Sequence, residues 1–279
     1  MMMRLGTIRK FGSKLAVVLL HPTHHTLGFC NLCRKQTLFV CDVAADRWIR
    51  RCCMCRSTPK YRAIVQVIES ETGQELSQYI RNHKIYELST TSPIFLKLRG
   101  HVNYEASGYF SDRPFGEKVS SLYWNQDLQN LSFPCGYFDV VISSETMEHV
   151  RRPWQGVSEV FRVLKAGGFY VFTIPYRDDR LTTSRVDTSG DEDRFLQEKV
   201  YHQDPYRPKD SLVYTDFGAD LPELLRPIGF ETERLSVLNM QSDIHDDLRP
   251  ANVFIARKPA VRRDLSGVAI ASVRSLVRL

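Results

Sequence analysis

Long apolar stretches are missing from this 279-residue chain, and no run approaches the eighteen or so residues that a membrane-spanning helix needs. The start, MMMRLGTIRKFGSKLAVVLLHP, also lacks a small-residue cleavage site after a convincing apolar stretch, so a cytoplasmic protein is expected. Acids are scarce at both ends. Residues 1–62 hold two against twelve Lys or Arg, and from residue 257 onward one faces six. Since the net charge is only +6, the middle must be acidic, and basic ends of this kind fit an anionic surface as partner. Aromatics do not interleave with the N-terminal cations as they do in single-strand nucleic-acid binders. No carboxylates cluster at the spacing of a magnesium site, and the adjacent acids Asp178 with Asp179 and Asp246 with Asp247 read as solvated surface.

Cysteine is sparse but concentrated. Cys30-Asn-Leu-Cys33 and Cys52-Cys53-Met-Cys55 form two CxxC knuckles eighteen residues apart, a spacing that lets two turns converge on one tetrahedral metal. Thiolates suit zinc, and a stretch with so few large apolar residues needs such a staple to fold. Cys30, Cys33, Cys52 and Cys55 are the expected ligands of a structural Zn2+, with Cys53 a competitor in the second knuckle and Cys41 a buried side chain or spare ligand. Disulfides are the alternative, disfavoured without a secretory signal. Arg47, Arg50, Arg51, Arg56, Lys60 and Arg62 surround the knuckles. They suit either a nucleic-acid contact or, as the preferred reading, a rigid cap packed on the next domain.

The segment from Phe138 to Pro175 reads as one supersecondary unit. Val140, Val141 and Ile142 are a short β-branched run, as expected of a parallel strand covered on both faces. Val157, Val160, Phe161 and Leu164 recur at helical spacing, and Lys165-Ala166-Gly167-Gly168 supplies a helix stop before Phe169 to Ile174 resumes the sheet. Ligands of open α/β sheets bind beyond the carboxyl ends of the strands, which points to Ser143, Ser144, Glu145, Glu148 and His149.

FDVVISSETMEHV with EVFRVLKAGGFYVFTIP closely resembles the fourth strand, helix and fifth strand of the class I S-adenosylmethionine-dependent methyltransferases of the type 11 kind. The resemblance covers roughly Lys84 to Ala256, takes in NQDLQNLSFPC before the unit and YHQDP after it, and reaches a bacterial subgroup whose zinc knuckles join the domain through a segment like RSTPKYRAIVQVI. It implies a Rossmann-like, doubly wound, seven-stranded α/β sheet with a small N-terminal zinc-ribbon-like module. It also implies S-adenosylmethionine as cofactor, with Glu87 as the acid after the first strand, Ser89 in the following turn, Gly108 at the ribose position, Asp127 and Leu128 at the adenine, and Ser143 and Glu148 at the fourth strand. Two positions depart from the family pattern. No glycine follows Glu87, where the backbone usually approaches the cofactor, and Gly108 stands where an acid usually grips the ribose.

The organisation expected is a basic amphipathic segment at 1–25, a four-cysteine zinc-binding module at 26–63, the methyltransferase domain at 64–257 and a basic amphipathic tail at 258–279. Leu5, Ile8, Phe11, Leu15, Val18 and Leu19 share one helical face, and Leu265, Val268, Val273, Leu276 and Val277 repeat the pattern in the tail. Either end would lie on an anionic membrane, pack on the domain or meet a second subunit. For a hydroxyl acceptor a base is useful, and His149 and His202 are the catalytic candidates because imidazoles titrate near neutrality. The acidic segment from Asp178 to Glu198 reads as a lid or a solvated excursion that disfavours a polyanionic acceptor. Three functions follow in order: an O-methyltransferase acting on a glycan or other small molecule, a zinc-guided nucleic-acid methyltransferase, and a non-catalytic binding protein on the same fold.

Overall fold

The computed structural model describes residues 25–44, 47–202, 211–237 and 251–260, with backbone alone for 41–49. Both basic amphipathic segments and the side chain of Cys41 lie outside the described residues.

The N-terminal part is an antiparallel sheet of β1 (His25–Cys30), β2 (Lys35–Ala44) and β3 (Arg47–Cys52) in that order. The first knuckle is the β1–β2 turn and the second follows β3. Helix α1 (Pro59–Thr72) starts at once, with Pro59 in its first turn and Gly73 closing it at a φ of +66°. Ala63, Ile64, Val65, Val67 and Ile68 of α1 are buried, and the helix packs on two adjacent strands of the main sheet, Leu164–Thr173 and Ala251–Arg257. One apolar cluster therefore runs from Cys30, Phe39 and Cys52 through α1 to Ile85 and Ile255. The division expected between residues 63 and 64 falls inside α1, which serves both parts.

After the short helix α2 (Leu76–Tyr79) come β4 (Ile85–Glu87), helix α3 (Pro93–Leu98), β5 (Tyr104–Gly108), β6 (Glu117–Ser120), β7 (Tyr123–Asn125), β8 (Phe138–Ser144), helix α4 (Pro153–Val163) and β9 (Leu164–Thr173). Short strands cross the next excursion: β10 (Tyr176–Arg177), β11 (Thr183–Ser184), β12 (Val186–Asp187), β13 (Arg194–Phe195), β14 (Tyr201–His202), β15 (Ser211–Leu212) and β16 (Thr215–Gly218). Helix α5 (Leu221–Leu225) and the hairpin of β17 (Glu231–Val237) and β18 (Ala251–Arg257) complete the described elements.

The main sheet has the order β17-β18-β9-β8-β4-β5-β7-β6. Strands β9, β8, β4, β5 and β7 are parallel, whereas β18 runs antiparallel to both β17 and β9. The expected doubly wound sheet is present, with β6 as an extra antiparallel edge strand in place of a crossover helix. Alternation sorts the side chains. Val140, Ile142, Val171 and Ile255 face the α1 cluster, while Phe138, Val141, Phe172 and Phe254 face a second cluster with Val157 and Val160 of α4 and Leu225 of α5.

Two local readings are corrected. The α4 helix stops at Val163, and Leu164 is already extended, so Lys165 to Gly168 belong to β9. A Cβ at Gly168 would lie 2.8 Å from the Asp139 carbonyl oxygen, so glycine here permits close strand pairing as well as a turn. The segment from Asp178 to Glu198 is largely exposed, but it is anchored by ion pairs and backbone contacts. Arg151 pairs with Asp193 at 2.6 Å and donates to the carbonyls of Gly190 and Asp191, Arg185 pairs with Asp216 at 2.6 Å, and Arg194 pairs with Asp187 at 2.6 Å. With these acids matched by arginines, the segment carries no strong argument about the acceptor's charge.

Candidate active site and cysteine cluster

The strand pairing sets most of the expected site residues along one edge. Glu87 lies opposite Ile142 on one side and Ala106 on the other, and Gly108 lies opposite Asn125. Ser143, Glu87, Gly108 and the Asp127 turn thus follow one another at the carboxyl ends of β8, β4, β5 and β7, where an open α/β sheet binds its ligand.

Glu87 is 1% exposed. Burial raises its carboxyl to about 7, against hydrogen bonds from Ser92 and Tyr104 that pull it down. The Tyr104 hydroxyl donates to its Oε2. Ser89 Oγ accepts the amides of Thr91 at 3.4 Å and Ser92 at 3.2 Å, and Ser92 Oγ accepts the Phe95 amide at 2.8 Å as N-cap of α3. Where glycines usually bend this turn, hydroxyls fold it on its own amides. At Gly108 a Cβ would meet the Phe110 ring at 2.6 Å, so an aromatic fills the space a ribose-gripping acid would take. Asn125, 1% exposed, holds that loop by accepting the Phe110 amide and donating to the carbonyls of Phe110, Arg113 and Pro114. Asp127 is partly exposed and accepts the Gln129 amide at 2.9 Å, and Leu128 is buried against Gly156 of α4. An S-adenosyl ligand is thus fitted at the strand edge and at Asp127, and less well at Gly108.

Ser143 is fully buried with its Oγ 2.5 Å from the Tyr170 hydroxyl, which makes it part of the sheet's support. Glu145 holds a φ of +52° as the chain leaves β8. Glu148 is 1% exposed, and among the described residues neither carboxylate oxygen has a hydrogen-bond partner. Burial first, then the charge of Glu145, pushes its carboxyl up to about 8. His149 Nε2 lies 3.6 Å and His202 Nδ1 3.8 Å from Glu148 Oε1, and the two rings meet edge to face at 5.0 Å. The structure thus brings both catalytic candidates together, around an acid expected to serve the cofactor.

Sequence reading missed Tyr61 and Lys60. Tyr61, from the first turn of α1, is near enough to Ser144, Glu87 and Glu145 for each to act on its phenol, while Lys60 is near enough to Glu148 to pull its carboxyl down. The helix that leaves the cysteine module therefore reaches the strand edge. No local pattern announces such a contact. The RSTPKYRAIVQVI segment was the available signal.

The cysteine cluster is closed and symmetric. Sγ of Cys30 lies 3.7 Å from that of Cys55, Cys33 lies 3.8 Å from Cys52, and all four fall within 4.8 Å of one another. Thiolates about 2.3 Å from a tetrahedral zinc stand about 3.8 Å apart, so the cage fits that ion. Each knuckle ends the same way: Arg34 donates its amide to the Cys30 carbonyl at 2.7 Å and Arg56 to the Cys52 carbonyl at 2.8 Å, with left-handed φ values of +58° and +61°. Cys53 is exposed, which leaves Cys52 and Cys55 as the second pair. The hydrogen bond from Cys55 holds the Cys30 thiol down at about 4, while burial pushes Cys33 up to about 11. Four thiols this close do not all ionise without a cation. Arg62 is fully buried beside them, stacked 4.6 Å over Phe39 and donating to the Ser57 carbonyl at 2.6 Å. Arg50 is also buried, so two of the six cations near the knuckles are withdrawn from any phosphate-facing surface.

No curated protein matches the chain. Similar solved structures include a S-adenosylmethionine-dependent methyltransferase from Mesorhizobium loti (16% identity, 63% of this chain and 91% of that one, TM-score 0.41), one from Methanosarcina mazei (15%, 66% and 97%, 0.38) and the YcgJ protein of Bacillus subtilis (10%, 71% and 99%, 0.43). Residues 105–172 match the family model described as a methyltransferase domain. That match lies within a sheet whose parallel core ends in an antiparallel hairpin, so residues 105–172 carry a methyltransferase-domain sequence on a Rossmann-like α/β sheet.

Proposed function

We propose that the domain methylates a hydroxyl of a small acceptor, with a sugar residue as the best fit, and that Cys30, Cys33, Cys52 and Cys55 hold a structural zinc. The observation that carries the reading is the unpartnered Glu148 carboxylate facing His149 and His202 at the end of β8. A neutral amine offers its lone pair directly, whereas a hydroxyl must lose a proton to become a strong nucleophile, so its methylation rewards a base within reach. His149 and His202 would take that proton. Tyr109 and Phe115 are exposed just after β5 with ring centroids 5.2 Å apart, and the negative faces of aromatic rings attract the C–H groups of a pyranose.

Asp127 and Leu128 would hold the adenine end of S-adenosylmethionine, and Glu87 with the Ser89 turn its methionine end. When bound, the sulfonium supplies an electrophilic methyl with a good leaving group. The chain's own task is to align the acceptor, exclude water and accept a proton. Tyr61 closes the edge from the side of α1, and the Arg151-anchored segment bounds it elsewhere. The non-catalytic reading draws support from Phe110 over Gly108 and from the closure of Tyr104 on Glu87.

Titration calorimetry of the zinc-loaded chain with S-adenosylhomocysteine decides between them. Micromolar binding that weakens at least tenfold in Asp127→Ala supports the enzyme. A folded protein that binds neither S-adenosylhomocysteine nor S-adenosylmethionine overturns it.

A further inference from the structure

Glu148, His149 and His202 pose a pairing problem. A buried carboxyl group without hydrogen bonds is unfavourable whether charged or neutral, yet among the described residues both Glu148 oxygens are unpartnered. Two imidazole nitrogens face one of them. His149 Nδ1 lies 2.8 Å from the Leu212 carbonyl oxygen, which can only accept, so Nδ1 carries the proton and Nε2 turns a lone pair toward Glu148. Nδ1 of His202 faces the same oxygen at 3.8 Å. Three lone-pair atoms thus converge within 4.8 Å of one another. A proton shared between two of them would draw that pair to about 2.6–2.9 Å, well short of the observed 3.6 and 3.8 Å. The gap suits an atom between them.

We propose that Glu148, His149 and His202 form a divalent-cation site separate from the cysteine cluster, with one carboxylate and two imidazoles as ligands and the remaining positions open to an acceptor hydroxyl, so that with the cation bound the hydroxyl would lose its proton to solvent and the imidazoles would serve as ligands in place of bases. The part about the hydroxyl rests on the methyl-transfer reading. Cation binding itself does not. Metal-bound histidines commonly donate their second nitrogen to a carbonyl that fixes the ring, and His149 does so to Leu212. Leu212 and Tyr201 are register partners in the β14–β15 pair, as are Ser211 and His202, so one hairpin supplies both a ligand and the orienting carbonyl. The amide of Tyr214 in turn fixes the Glu148 carbonyl at 2.7 Å.

Donors about 2.0–2.2 Å from a transition-metal ion stand roughly 3–3.5 Å apart, so the cage must contract by several tenths of an ångström to about 1 Å. His202, with 40% of its side chain exposed, has the freedom to do so. A set of two nitrogens and one oxygen selects a borderline cation such as Mn2+, Fe2+ or Zn2+ over one that demands oxygen alone. Glu145 adds negative charge nearby and Lys60 opposes it, which sets the affinity at a moderate level.

The test titrates the zinc-loaded full chain with Mn2+ and follows the free-ion signal by electron paramagnetic resonance, since the thiolate cage disfavours Mn2+. One saturable equivalent is expected, with affinity at least tenfold weaker in both Glu148→Gln and His202→Ala and unchanged in Cys53→Ser. His202→Ala removes a half-exposed side chain and leaves the fold testable by circular dichroism. Absence of saturable Mn2+ and Co2+ binding beyond the cysteine cluster, or unaltered affinity in folded His202→Ala, overturns the site. A parallel titration with S-adenosylhomocysteine separates the two claims. Nucleoside binding without cation binding removes the cation site alone, and cation binding without nucleoside binding keeps the site while the methyl-transfer reading fails.

Discussion

Tyr61 on α1 lies close enough to Ser144 at the end of β8 for that hydroxyl to pull its phenol down, which brings the first turn after the cysteine cluster to the edge where the cofactor is expected. Burial outweighs that pull and pushes the Tyr61 phenol up to about 12, so it is neutral at any ordinary pH. Tyr61→Phe keeps the ring and removes the hydroxyl. A stability loss of about 1 kcal/mol is expected in thermal melts, with weaker S-adenosylhomocysteine binding and unchanged zinc content.

Cys53 and Cys55, two residues apart in the second knuckle, should behave oppositely. Cys55→Ser removes one corner of the cage, and because α1 begins immediately beyond it, the melt should collapse together with metal content. Cys53→Ser touches an exposed side chain and should shift stability by no more than about 0.5 kcal/mol. Metal analysis paired with calorimetric melting distinguishes them. Full zinc retention in Cys55→Ser would remove Cys55 from the ligand set, and zinc loss in Cys53→Ser would contradict its exclusion.

Glu87 makes stability depend on pH with an unusual sign. Its folded carboxyl sits near 7 against an ordinary 4.5, so the folded state holds the proton more tightly than the unfolded chain. Its contribution is fully present below about 4.5 and is lost as pH rises to about 7, a difference on the order of 3 kcal/mol. Glu87→Gln should flatten that part of the stability curve. Denaturant melts of both proteins between pH 5 and 8 measure the difference, and parallel curves would refute the assignment.

Arg151 anchors the excursion through Asp193, Gly190 and Asp191. Arg151→Ala should cost about 1 kcal/mol or less in global stability, because the pair is partly solvated. Limited proteolysis should nonetheless find new cleavage between residues 185 and 196. Resistance equal to that of the parent chain would show that the local strand pairs alone hold the segment.

What could be read in advance was local. Val140 to Ile142 form a short β-branched run, and they are a buried strand at the centre of the sheet. Two CxxC turns at a productive spacing converge, because each is a self-contained turn with the same closing hydrogen bond. The limits were long-range. Tyr104 reaches Glu87 across seventeen residues and a strand pair, Phe110 occupies the space beside Gly108 through a loop conformation, and Tyr61 crosses from another part of the chain. None of these leaves a period or a spacing in the sequence. The α4 end was misplaced because Lys165 to Gly168 has a helix-stopping composition while its glycine serves the approach to Asp139. His149 and His202 were each identifiable as titrating groups, but their meeting at Glu148 depends on the β14–β15 hairpin.

With the proposed zinc bound, Arg62 would give the cysteine cluster a role in timing as well as in shape. Its guanidinium is sealed from water beside the thiols, and its Nε and Nη2 lack hydrogen-bond partners. A charge so placed is tolerable only while thiolate charge stands next to it. Tetrathiolate zinc carries two negative charges, which Arg62 partly offsets. A newly made chain would then commit to its final packing only once the ion has arrived, and one left without it would carry a stranded cation at the root of α1. Metal supply would set how much active domain a cell accumulates, independently of how much chain it makes.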